Sequence, residues 1–144
     1  MAAPGSYNKT FTTVDANNQI TACATGTGST TPITVFTAGT NGAVVRAIGM
    51  VSNDTVAANV ILTYTPFGGS AGIIGGVSIT GNATLQSPTN LLTKTNIPFA
   101  EYDSQGNVVI QMKSGDTLNT YTVATMTSAK AYTVSVQGAD FAAS

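Results

Sequence analysis

The sequence predicts an all-β protein: a β-sandwich or jelly-roll-like antiparallel domain that carries an extended N-terminal arm. Thr, Val and Ile are abundant while Glu and Lys are scarce, and this composition favours strands over helices. Fifteen glycines punctuate the chain, and the patterned segments alternate with period two rather than with helical spacing. With 144 residues the chain has room for one domain. We place that domain at residues 32–144, after an arm and linker at residues 1–31.

The arm, residues 1–31, is the least apolar part of the sequence. A strand is predicted at Lys9–Val14, and Ala24–Thr31 is a Gly/Thr/Ser stretch typical of a flexible linker. Alone, the arm lacks the apolar surface needed to offset an ordering entropy of about 1–2 kcal/mol per residue. Laid across a neighbouring subunit, it would bury Phe11 and Val14 and could add a strand to an exposed sheet edge. Lys9, Phe11 and Val14 are therefore the predicted partner-binding residues.

The first half of the sandwich domain is predicted to hold four strands. Their ranges are Ile33–Thr37, Ala43–Ser52, Ala58–Thr65 and Ile73–Thr80. The segment Ala38–Gly42 contains the Gly and Asn residues typical of turns, and we expect it to join the first two strands as a hairpin. In the third strand, one alternating set of residues is predicted to face the core. That set is Ala58, Val60, Leu62 and Tyr64.

The interval from Gly81 to Asn107 contains Pro88 and Pro98 and is predicted to be irregular. Insertions of this length often carry contacts to partners. Three strands follow the interval, at Asn107–Lys113, Thr117–Met126 and Ala131–Gln137. The last of them has one predicted buried face, made of Tyr132, Val134 and Val136. The aromatic residues are spread over strands and strand ends, so we expect them to pack in the core.

Charge is scarce: Lys and Arg number five, Asp and Glu number six, and the net charge is -1. The chain has no excess of positive charge that would attract phosphate backbones or anionic lipid, so neither nucleic acid nor a membrane is an expected partner. The chain has no His, and Cys23 has no second Cys to pair with, so imidazole-based catalysis and an internal disulfide are excluded. We expect no enzymatic activity, no cofactor and no metal site.

The segment Asp103–Asn107 is the one loop with some likeness to a metal site. Its oxygen-bearing side chains suggest a calcium loop, but the successive acidic positions and the closing bidentate Glu of such loops are missing. An Asx-type turn is the favoured interpretation. Glu101 and Asp103 are the only close acidic pair, and we interpret them as solvated loop charges rather than as a glycosidase pair.

The shortage of charge also predicts self-association. Monomers with exposed strand edges commonly block edge-to-edge pairing with Lys, Glu or inward-pointing charges. Two long stretches, Ala16–Val45 and Thr55–Thr93, contain no charged residue at all. We therefore expect the edges to be covered by copies of the chain or by a partner, since hydroxyl-rich surfaces can be desolvated at lower cost than ionic ones.

Four segments resemble the layout of small head proteins of tailed bacteriophages. They are Pro32–Ile48, Ser52–Val60, Lys113–Leu118 and Val136–Phe141. On this pattern of strands and turns, the chain is similar to the capsid decoration (cement) family. The resemblance implies a structural virion protein, commonly a trimer, that binds the major capsid protein on the outer capsid surface and helps the head to resist internal DNA pressure. It also implies an N-terminal arm that reaches neighbouring subunits.

No secretory signal is visible at the N-terminus, so we expect synthesis in the host cytoplasm. Two other functions fit the same architecture. One is a phage head fibre or receptor-binding module that recognises a host glycan or protein. The other is an extracellular adhesin-like β domain, in which Lys113 or Lys130 would link to an Asn through a buried carboxylate with loss of ammonia.

Overall fold

The computed structural model of the chain describes residues 14–26, 31–79, 90–124 and 126–141. Nine strands and no helix lie within these ranges, which confirms the all-β class; a helix long and apolar enough to cross a bilayer is accordingly not found there. In chain order the strands are β1 (Val14–Gly26), β2 (Ile33–Thr37), β3 (Ala43–Ser52), β4 (Ala58–Thr65), β5 (Gly72–Ile79), β6 (Glu101–Tyr102), β7 (Val108–Met112), β8 (Thr117–Thr122) and β9 (Tyr132–Phe141).

The strands form the two antiparallel sheets of a β-sandwich. One sheet has five strands in the order β1-β9-β3-β7-β6, and the other has four in the order β2-β8-β4-β5. The pairs β1 with β9, β2 with β8, β3 with β7 and β4 with β5 are nested in the sequence, as in one long hairpin wound into two layers. This is the connectivity of a jelly roll. The two-residue strand β6 extends it at the edge beside β7.

The core lies between the two sheets. The residues predicted to face inward are buried or pack against it, namely Ala58, Val60, Leu62 and Tyr64 on β4 and Tyr132, Val134 and Val136 on β9. The expectation that the aromatic residues pack in the core is wrong for three of them. Phe67, Phe99 and Tyr102 are exposed, because the first two lie in turns and the third lies on the short edge strand β6.

The irregular segment 90–100 closes one side of the sandwich. The Leu91 amide donates to the carbonyl of Ile48 on β3 at 2.8 Å, and the Gly76 amide on β5 donates to the carbonyl of Asn96 at 3.2 Å. The segment therefore connects one sheet to the other. Its apolar side chains are buried in the core; they are Leu92, Ile97 and Ala100. The segment is irregular, as predicted, and three of its eleven residues belong to the core.

Strand β1 lies within the range predicted to be an arm. Its backbone pairs with β9, from Val14 opposite Phe141 to Gly26 opposite Tyr132, with a register shift between Val14 and Gln19. Residues 14–26 thus add to a sheet of their own chain, which differs from a free arm over that range. Of the strand predicted at Lys9–Val14, only Val14 lies within the described residues. The domain boundary at residue 31 stays a prediction.

Candidate functional site

Asp116 fixes the loops at one end of the sandwich, which we call the Asp116 end: the loops Ala38–Gly42, Pro66–Ala71 and Lys113–Asp116. The Asp116 carboxylate is buried and accepts hydrogen bonds from the amides of Phe67 and Lys113, at 2.9 Å each. It also accepts one from the Tyr64 hydroxyl. The Asp116 carbonyl in turn accepts from the Ala38 amide at 2.9 Å. One short acidic side chain therefore ties together loops from both sheets.

The ionisation of Asp116 follows from these contacts. Burial disfavours the charged form, but the hydrogen bonds from Tyr64, Phe67 and Lys113 outweigh burial and hold the pKa of Asp116 below its ordinary value. Burial, together with the neighbouring Asp116 carboxylate, raises the pKa of Tyr64. Asp116 is therefore ionised and Tyr64 neutral at physiological pH, the pairing that a strong hydroxyl-to-carboxylate hydrogen bond requires.

Two large apolar side chains are presented to solvent at this end. Phe67 is 81% exposed and Ile73 is 69% exposed. Phe67 lies in the turn closed by the bond from the Gly69 amide to the Pro66 carbonyl. Its ring covers Gly115, where an added Cβ would come within 2.7 Å of a ring carbon. The ring position is thus set by the loops, and such preorganised apolar groups are suited to burial in a partner.

One of the predicted partner-binding residues, Val14, lies at the Asp116 end. Val14 begins β1 opposite Phe141, and the Phe141 amide donates to the Gly42 carbonyl at 3.0 Å in the loop between β2 and β3. The chain thus joins the sandwich at the same end as Phe67. Lys9 and Phe11, the other two predicted residues, lie outside the described residues.

The opposite end of the sandwich is organised by a second buried carboxylate, Asp54. Hydrogen bonds from the Thr127 amide and hydroxyl, at 2.8 Å each, and from the Val56 amide at 3.1 Å connect the β3–β4 loop to the β8–β9 loop. These bonds, the one from the Thr127 amide above all, lower the pKa of Asp54. Val56 and Val123 are exposed at this end. Val123 can therefore serve as a control position when the exposed apolar residues of the Asp116 end are substituted.

The loop Asp103–Asn107 has the geometry of the favoured Asx-type turn. Asp103 Oδ1 accepts from the amides of Gln105 at 2.9 Å and Asn107 at 2.8 Å. Gly106 has a φ of 83°, a left-handed conformation that glycine adopts without strain. In the part of the chain that the structure describes, no group of three or more His, Cys, Asp or Glu could hold a metal ion.

Sequence reasoning missed the structural roles of Asp54 and Asp116. A signal was present, because each follows a short polar turn segment, Ser52-Asn53 or Ser114-Gly115, and a lone carboxylate in such a turn is a frequent acceptor for backbone amides. In a chain with six acidic residues, each of them is a candidate for such a role. Comparisons of the chain with protein-family models, with curated proteins and with solved structures found no match.

Proposed function

We propose that this chain is a structural virion protein that decorates and stabilises the outer surface of a tailed-phage capsid by binding the major capsid protein. The observation that carries the proposal is the Asp116 end, where the exposed apolar side chains of Phe67 and Ile73 stand beside Val14, at which β1 begins. The sequence resemblance supplies the class of partner. Jelly rolls are frequent in viral capsid domains, although the fold alone does not determine function.

The charge distribution supports an assembled state. Strand β5 is an edge strand of the four-stranded sheet, carries no charged residue and exposes Ile73. Such an edge favours pairing with another chain where it is not already covered, as it is at Gly76, whose amide donates to the Asn96 carbonyl. Self-association as a trimer and contact with the capsid would both remove apolar edge surface from water, and a shell multiplies weak contacts through avidity.

Cosedimentation with capsids tests the proposal. The probe is a preparation of heads that lack the protein, from the phage whose genome encodes the chain. Wild-type protein should cosediment saturably, and Phe67→Ser and Ile73→Ser should each weaken binding by about tenfold or more, because a central apolar contact is lost. Val123→Ser is the matched control, since Val123 is 57% exposed at the opposite end, and it should bind as the wild type does.

Deletion of residues 1–13 tests the arm separately. These residues precede β1, so the truncated protein should keep its β-rich circular dichroism spectrum and its oligomeric state, measured by light scattering, while capsid binding is sharply weakened. If the truncated protein binds heads as tightly as the full chain does, attachment by Lys9 and Phe11 is wrong. Absence of any cosedimentation of the full chain would overturn the capsid function itself.

A further inference from the structure

A polar groove lies on the side of the sandwich, away from both loop ends. It has a volume of about 560 Å³ and is lined by Arg46, Asn90, Asp103, Gln105 and Asn107. Leu92 and Val108 supply its apolar lining. The volume falls within the range of small-molecule sites, which also combine apolar walls with a few convergent polar groups.

Arg46 is the single arginine of the chain and stands on a β-bulge. In the pairing of β3 with β9, Val45 is opposite Gly138 and Ala47 is opposite Gln137, so Arg46 is the extra residue of β3. Bulges of this kind redirect a side chain and are frequent beside functional sites. The backbone is held in this shape by Asn90, whose side chain accepts from the Ile48 amide at 3.1 Å and donates to the Arg46 carbonyl at 3.4 Å.

Among the described residues, the guanidinium of Arg46 acts on the Asp103 carboxylate through its charge but holds no loop by a hydrogen bond. Other charged groups do: Asp54 and Asp116 fix loops, Asp140 accepts from the Gly39 amide at 3.1 Å, and the Lys94 ammonium donates to the Pro98 carbonyl at 2.9 Å. Arg46 is exposed and donates no hydrogen bond within the described part of the chain. A planar group with five donors therefore lines the groove, and its N–H groups donate to none of the described residues.

Acceptors are held in fixed positions in the same groove. The Asx-type turn orients Asp103, whose Oδ2 accepts only from the Asn107 side chain, at 3.2 Å, among the described residues. The hydrogen bond that the Asn107 backbone amide donates lowers the pKa of Asp103 most, and the Arg46 charge lowers it further, so the carboxylate is ionised. The Gln105 side chain, on the same turn, is exposed.

From this arrangement we propose that the Arg46 groove binds a neutral saccharide. Vicinal ring hydroxyls both donate and accept, which matches a guanidinium donor beside a carboxylate acceptor and side-chain amides. The one positive and one negative charge of the groove balance, so Asp103 disfavours a phosphate or a carboxylated sugar that Arg46 alone would attract. The apolar C–H face of a sugar ring can contact Val108, which is partly exposed, while Leu92 is buried beneath the groove. This inference does not depend on the capsid function.

Nitrogen-15 NMR titration of the full-length protein tests the groove directly. The probes are D-glucose, D-galactose, D-mannose and N-acetyl-D-glucosamine, with D-glucuronate and inorganic phosphate as the acidic comparison. At least one neutral sugar should produce saturable shifts confined to resonances of the groove. Arg46→Ala and Gln105→Ala should each raise the Kd for that sugar by about tenfold or more, because each removes hydrogen-bonding groups from the ligand.

Lys113→Ala is the matched control, because Lys113 is an exposed cation that does not line the groove; it should leave the Kd unchanged. Unperturbed spectra away from the groove verify that each variant is folded. The proposal is overturned if none of the four neutral sugars shifts groove resonances, if Arg46→Ala binds as the wild type does, or if only glucuronate or phosphate binds. A capsid-binding failure leaves this result unaffected, so the two proposals fail independently.

Discussion

Gly75 on β5 is the position where one added methyl group should separate the sandwich from the segment that closes it. A Cβ at Gly75 would lie 2.1 Å from the Asn96 carbonyl oxygen and 2.9 Å from the Ile97 Cα. Both atoms are backbone, so rotation of a side chain cannot relieve the overlap. Gly75→Ala should therefore move residues 90–97 away from β5 and draw Ile97, which is fully buried, out of the core.

The expected cost has two parts. Overpacking of a well-packed interior costs about 1–3 kcal/mol, and loss of the hydrogen bond from Gly76 to Asn96 adds about 0.5–1.5 kcal/mol. Gly75→Ala should thus lower the free energy of unfolding by about 1.5–4.5 kcal/mol. Gly72→Ala is the matched control on the same strand, because nothing lies within 4 Å of its added Cβ, and it should change stability by less than about 1 kcal/mol.

Urea denaturation followed by circular dichroism measures both variants, and the midpoint should move for Gly75→Ala with little change in slope. If Gly75→Ala is as stable as the wild type, segment 90–100 does not pack on β5 as described. An equal loss of stability in both variants would show that the overlap with Asn96 is not the cause of the loss.

Three further predictions concern the buried groups. Ile97→Ala should destabilise the fold by about 2–5 kcal/mol in the same urea assay, because it leaves a cavity in the core, and a loss below 1 kcal/mol would argue against its burial. The pKa values of Asp54 and Asp116 are lowered by folding. The stability that they contribute should therefore be fully present above the unfolded pKa of about 4 and should be lost as the pH falls through the folded pKa values. In thermal melts at a series of pH values, Asp116→Asn should reduce this loss of stability at acid pH. Tyr64→Phe should cost about 1.5–3 kcal/mol at neutral pH by removing a bond to a charged acceptor, and it should abolish the Tyr64 part of the stability loss that we expect above about pH 10.

Much of the fold could be predicted because the local sequence marks where its central strands begin and end. Strands β2, β3 and β4 have the predicted bounds, since each is an apolar run limited by turn residues. The strand predicted at Thr117–Met126 ends instead at Thr122, where the Val123 amide donates to the Asn59 carbonyl at 3.2 Å and the chain bends. Nothing local marks that end, because Val123 belongs to a residue type typical of strands.

The parts that were not predicted depend on contacts distant in sequence. Leu92, Ile97 and Ala100 stand among prolines and polar residues, so no period reveals that they are buried. Their burial follows from the gap that β7 leaves along β3, where pairing is confined to Ala43–Val45. The Arg46 groove could not be predicted either, because the bulge on β3 and the turn at Asp103 that form it are far apart in the sequence.

The nested pairing of the strands also decides when the fold can form. The Gly39 amide and the Asp140 carboxylate that it contacts are 101 residues apart, and β9, which lies between β1 and β3, follows the eight other described strands in the chain. Because loop-closure entropy opposes such distant pairings until they are complete, topologies of this kind fold slowly. A ribosome-bound chain without β9 leaves an edge of β3 open to aggregation. The emergence of β9, which fills the place between β1 and β3, is thus the step that commits the two sheets to their fold.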